Sequence, residues 1–108
     1  MVTHVRSLIS VPSVRLRVEL SEELGYMNLI AYRLPDDHLI GSISVDSGEF
    51  SEKTQEFQKY QICRTLSFAL RNHCMIDEGY VKILRDHDNW FVIRDLVNKY
   101  LPEGEKLT

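Results

Sequence analysis

Between Glu52 and Met75 the chain carries neither proline nor glycine. A stretch of that length without a breaker has one economical fold, a long helix. The spacing therefore predicts a helix over Ser51–Met75, with Ser51 as N-cap and Glu52 at the positive end of the helix dipole. At about 100° per residue, Ile62, Cys63, Leu66, Ala69, Leu70, His73 and Cys74 gather on one arc, the expected core stripe. Phe57, Tyr60, Gln61, Arg64, Phe68 and Arg71 gather on the opposite arc. A face turned to water does not usually hold two Phe and a Tyr. Aromatic residues interleaved with Arg are the composition of a protein contact core.

The segments before this helix read as strands. Val14, Leu16, Val18 and Leu20 alternate with Arg15, Arg17 and Glu19, the pattern of a half-buried strand with one wet face. Ser21–Gly25 reads as a loop or hairpin turn, and Tyr26–Leu34 as a second strand rich in branched and aromatic residues. Pro35, Asp36, Asp37 and His38 form a turn signal. Leu39–Val45 then sets Gly41, Ile43 and Val45 against Ile40, Ser42 and Ser44. Residues 1–11 have branched side chains in an irregular pattern, so they are either an edge strand or an arm, and Pro12 suits an edge.

Beyond the helix, Tyr80–Arg85 reads as a strand. Trp90–Arg94 has strand composition, but Trp90, Ile93, Val97, Tyr100 and Leu101 keep helical spacing up to Pro102, which favours a helix. Residues 103–108 are expected to fray. The expected fold is a single α+β domain over 1–108. Its antiparallel sheet of three to four strands, in β-β-β-α-β-α order, carries one long helix across one face and a shorter C-terminal helix.

With 108 residues, the chain holds one core. No apolar run approaches the roughly 18–20 residues needed to span a bilayer, so no membrane role is expected. The start MVTHVRSLISVPS lacks the basic and continuous apolar regions of a secretory signal, and a cytoplasmic protein is expected. Cys63 and Cys74 sit roughly 16 Å apart along one helix, too far to bridge, and both fall on the core arc.

Catalytic, metal and cofactor signatures are missing from the sequence. His73 and Cys74 adjoin, with Asp77, His87 and Asp88 downstream, but adjacent helix residues point about 100° apart and no second ligand pair exists. Asp86-x-Asp88-Asn89 lacks the glycine and late glutamate of a calcium loop. The carboxylate pairs Glu22-Glu23 and Asp36-Asp37 sit in turn sequence, where solvation explains them. No glycine-rich phosphate loop occurs. No catalytic residue, metal site or cofactor is assigned.

Two functional expectations remain. In the first, the arc of Phe57, Tyr60, Gln61, Arg64, Phe68 and Arg71 binds a protein partner or a second copy of the chain, unless the C-terminal segment folds over it. In the second, the same aromatics stack on unpaired bases while Arg15 and Arg17 hold the backbone of a single-stranded nucleic acid. The net charge of −3 counts against the second.

Overall fold

The computed structural model describes residues 2–11, 16–23, 26–72, 82 and 84–108, with β1 described by its backbone. Strands β1 (Val2–Val11), β2 (Leu16–Glu23), β3 (Tyr26–Arg33) and β4 (His38–Ser44) form an antiparallel meander. A two-residue strand, β5 (Glu49–Phe50), pairs with Ile43 and Ser44 at the end of the row. The register brings Val18, Ala31 and Gly41 into one cross-strand line, and Leu20, Leu29 and Ile43 into the next. Every one of these residues is buried. The alternation in β2 and β4 therefore sets the inner face, because successive side chains of a strand point to opposite sides.

Helix α1 (Glu56–Asn72) packs across β1, β2 and β4. Ile62, Cys63, Leu66 and Leu70 are buried against the sheet, as the core arc requires. Helix α2 (Trp90–Lys99) adds Trp90, Ile93 and Val97 to the same core, followed by Leu101. Phe91 and Val92 are exposed at 63% and 47%. Only the helical period buries Trp90, Ile93 and Val97 together while releasing those two. Tyr100 meets Phe50 edge to face, with ring centres 5.8 Å apart.

Four expectations need correction. The helix begins at Glu56, not Ser51. Ser51 N–H donates to the Ser42 carbonyl at 2.8 Å, which extends the β4–β5 ladder by one bond. The Ser51 and Thr54 hydroxyls share a 2.6 Å hydrogen bond, so Ser51 closes a turn before the helix. The first helical bond runs from Lys59 N–H to the Gln55 carbonyl. Residues 73–75 lie outside the described residues.

The strand expected over Tyr80–Arg85 is absent from its described part: residues 82 and 84–86 are helical. Short apolar runs do not separate strand from helix by period. Here helical spacing buries Leu84 and lets Lys82 pair with Asp86 at 3.1 Å, four residues on. Among the described residues, four long strands and a short one thus precede α1, the helical residues 84–86 and α2, and β1 lies at one edge of the sheet.

β2 also runs through Ser21–Glu23, expected as a turn, with Glu23 opposite Tyr26. Residues 103–108, expected to fray, are fixed. Glu103–Glu105 forms a 3-10 turn, and Leu107 is buried. Asn98 holds Leu107 through two hydrogen bonds. A polar clamp beside one buried leucine is enough to order a short tail.

Gly41 shows why the segment before α1 sits so close to the sheet. A β-carbon there would lie 2.5 Å from Thr54 Oγ1. Thr54 is buried against the bare backbone of β4. Gly48 has φ of +69°, and a β-carbon on it would overlap Val92 of α2. The β4–β5 turn and α2 therefore meet at a glycine.

Candidate binding face of the central helix

The sheet and α2 occupy the inner side of α1, leaving its outer arc facing solvent. Phe57 is 60% exposed, Tyr60 39% and Phe68 37%. Arg64 and Arg71 are exposed, and Gln61 is half-buried beside them. The helical period thus brings all six expected residues to one face. Flanking them, Thr65 and Ser67 are fully buried. Thr65 Oγ1 donates to the Gln61 carbonyl at 2.9 Å, which satisfies its hydroxyl without a distant partner. Helix α2 does not cover the arc, because its own apolar stripe faces the core.

The two arginines differ in what they already hold. Arg71 Nε donates to Ser67 Oγ at 3.3 Å, and its Nη1 donates to the Gly104 carbonyl at 3.4 Å. Ser67 in turn donates to the Glu105 carbonyl. Arg71 therefore helps to hold the C-terminal turn beside α1. Arg64 has a looser contact, with Nε 3.8 Å from Glu105 Oε1.

At the N-terminal end of the arc a cleft of about 290 Å³ opens between Phe57, Gln58 and Gln61 on α1 and Leu16, Arg33, Leu34 and Ile40 on the sheet side. Arg33 on its wall is held by a two-pronged contact to Asp36, at 3.2 and 2.6 Å. That guanidinium bond lowers the Asp36 carboxyl below its ordinary value. A wider groove of about 570 Å³ continues along β4, between His38–Ser42 and the segment Ser51–Gln58. Sequence reasoning missed both hollows. Their walls come from separate elements, and no local pattern in the chain announces them.

No family model, curated protein or solved structure matches the chain. The chemistry of the face must therefore be read from its own residues.

The nucleic-acid expectation joined this arc to Arg15 and Arg17. Arg15 lies outside the described residues. Arg17 stands on the sheet face opposite α1, since Leu16 and Val18 beside it point inward. It is also occupied there: Asp37 Oδ1 lies at 2.7 Å, Glu19 Oε1 at 3.1 Å and the Tyr32 ring centre at 5.0 Å. Burial, with the Glu19 charge adding to it, pushes the Tyr32 phenol up from its ordinary value. Arg17 and the α1 aromatics thus belong to different surfaces.

Of the residues weighed for chemistry, His73, Cys74 and Asp77 lie outside the described residues, and His87 and Cys63 have structural roles. His87 Nε2 lies 3.4 Å from Asp46 Oδ1, and its Nδ1 accepts the Asn89 N–H at 3.0 Å. Asp46 Oδ2 accepts the Met27 N–H at 3.1 Å. This group ties the turn after β4 to the start of α2, with both imidazole nitrogens turned to protein groups. Cys63 is sealed in the core, and burial pushes its thiol up to about 12. A thiol held neutral is a poor nucleophile. Among the described residues, no three or more His, Cys, Asp or Glu side chains are grouped to hold a metal ion, and no helix is long and apolar enough to cross a membrane.

Proposed function

We propose that this chain is a small, non-catalytic protein-interaction domain that docks a protein through Phe57, Tyr60, Gln61, Arg64, Phe68 and Arg71. One observation carries the reading: two Phe and a Tyr stand exposed on a single helical face while Ile62, Cys63, Leu66 and Leu70 of the same helix fill the core. Exposed aromatic rings clustered on one face are the usual anchors of protein contacts, because each desolvates a large area at low entropic cost. The cleft beside Phe57 supports it by offering a recess for a partner's side chain. We place the protein's action in the cytoplasm, a reading supported by the buried, unbridged thiol of Cys63.

Paired capture from the native lysate tests this reading, with the wild-type chain and a Phe57→Ser/Phe68→Ser variant as baits. A protein retained by the first and lost from the second supports it. Equal retention by both, or none by either, overturns it. The variant must first show an unchanged thermal transition, which its exposed positions allow.

A further inference from the structure

We propose that the arc of α1 receives a protein segment that presents a carboxylate flanked by apolar side chains, and that a second copy of this chain does not fill the site. The inference deepens the docking reading above and rests on it.

Arg64 stands at the centre of the arc. It lies between Phe57 and Phe68 on the exposed face, and its contact with Glu105 at 3.8 Å is beyond hydrogen-bonding distance. A guanidinium offers five donors in a planar fork that matches a carboxylate. The other charged member of the arc, Arg71, has the same sign. At the start of the helix, Glu56 is already bonded by Lys59 at 2.9 Å. Glu105 offsets part of the charge of Arg64 and Arg71, and the arc keeps a local positive excess on a chain whose net charge is −3. Charge complementarity selects an acidic partner for this face.

The same residue disfavours self-pairing. Two copies related by a two-fold axis would lay their α1 helices either parallel, with Arg64 level with Arg64, or antiparallel, where covering both Phe57 and Phe68 sets the axis midway between residues 62 and 63. The two Arg64 side chains then stand within about 5 Å of each other along the helix. Like charges at that separation, in a contact that excludes water, repel. A carboxylate in the same place turns the repulsion into a paired, hydrogen-bonded charge. One and two turns away, Gln61 and Phe57 border the cleft, which gives the partner's apolar side chain its recess.

The test is selection of displayed random peptides, about sixteen residues long so as to cover the arc, on the full chain at low salt. Synthesised winners are then titrated against wild type and variants. The expected winners carry Asp or Glu within one turn of Leu or an aromatic residue. Their affinity should fall by about tenfold or more with Arg64→Glu, and again when salt rises to about 0.5 M. Neutral or basic winners overturn the inference, as do acidic ones that bind the Arg64→Glu chain equally well. If that variant fails to fold, Arg64→Gln serves in its place.

Light scattering on the same chain keeps the two readings apart. A dimer abolished by Phe68→Ser would put a second copy on the arc, which ends this inference and leaves the docking reading standing. Peptides that bind but ignore both Phe57→Ser and Arg64→Glu, or a library that yields no binder, would count against both.

Discussion

Asn98 holds Leu107 by both of its backbone polar groups. The Asn98 amide donates from Nδ2 to the Leu107 carbonyl at 2.9 Å, and its Oδ1 accepts the Leu107 N–H at 2.7 Å. The pair closes like one rung of a β-ladder, with a side chain in place of a strand. Leu107 is thereby kept in the core only eight residues after α2 ends at Lys99.

Asn98→Ala should cost about 1–3 kcal/mol, since it strands two backbone groups beside a buried leucine. Urea denaturation gives the loss, and amide exchange at Leu107 should rise towards the rate of an open tail. An unchanged exchange rate would mean that the leucine alone holds the segment. Asn98→Asp, which keeps the acceptor and drops the donor, is expected to fall between.

Gly48→Ala meets two separate obstacles, the positive φ and the side chain of Val92. The backbone conformation alone should cost about 1 kcal/mol, and the overlap should add to it. Val92→Ala in the same chain is expected to recover the second part only. A double-mutant cycle on melting data reads the coupling directly, and strict additivity would show that the two sites do not touch.

Cys63 makes stability depend on alkaline pH. Its folded-state value of about 12 lies above the ordinary 9.0. The unfolded chain therefore releases this proton first. The contribution is fully present below about pH 9 and is lost as pH rises towards 12, at up to about 1.4 kcal/mol per pH unit. Subtracting the pH profile of a Cys63→Ala chain isolates the contribution of this thiol. Matching slopes in the two chains would refute the assignment. The Cys63 thiol should also resist alkylation at pH 8 until urea unfolds the protein.

Leu66→Ala and Phe57→Ser are the two sides of one helix. The first empties a fully buried site and should cost about 2–5 kcal/mol. The second removes a ring that is 60% exposed and should shift the melting temperature little. A large loss from Phe57→Ser would place that ring in the core and remove the main support for a docking face.

Much of this architecture is legible in the chain because it depends on local period. Leu16, Val18 and Leu20 name the inner face of β2, and Ile62, Cys63, Leu66 and Leu70 name the buried side of α1. The six residues of the outer arc follow from the same arithmetic. Other parts depend on contacts that no period encodes. β1 pairs with β2 through two register shifts, at Val2/His4 and Ser7/Ile9, and each shift breaks the alternation that would reveal a strand. Ser51 reads as a helix cap until the Ser42 carbonyl claims its N–H. The cleft draws its lining from β2, the end of β3, β4 and α1, and the C-terminal tail is fixed by an asparagine nine residues upstream. Such features belong to tertiary pairing, which a single sequence does not display.

Because α1 carries its core stripe and its aromatic arc on opposite sides, a residue-by-residue scan of the helix should yield two periodic traces. Losses in melting temperature and losses in partner affinity would each repeat about every 3.6 positions, half a turn out of step. Few positions between Ile62 and Leu70 would be silent in both. A helix that docks a partner as proposed would have little room for neutral drift, since its two sides would be constrained for two unrelated reasons.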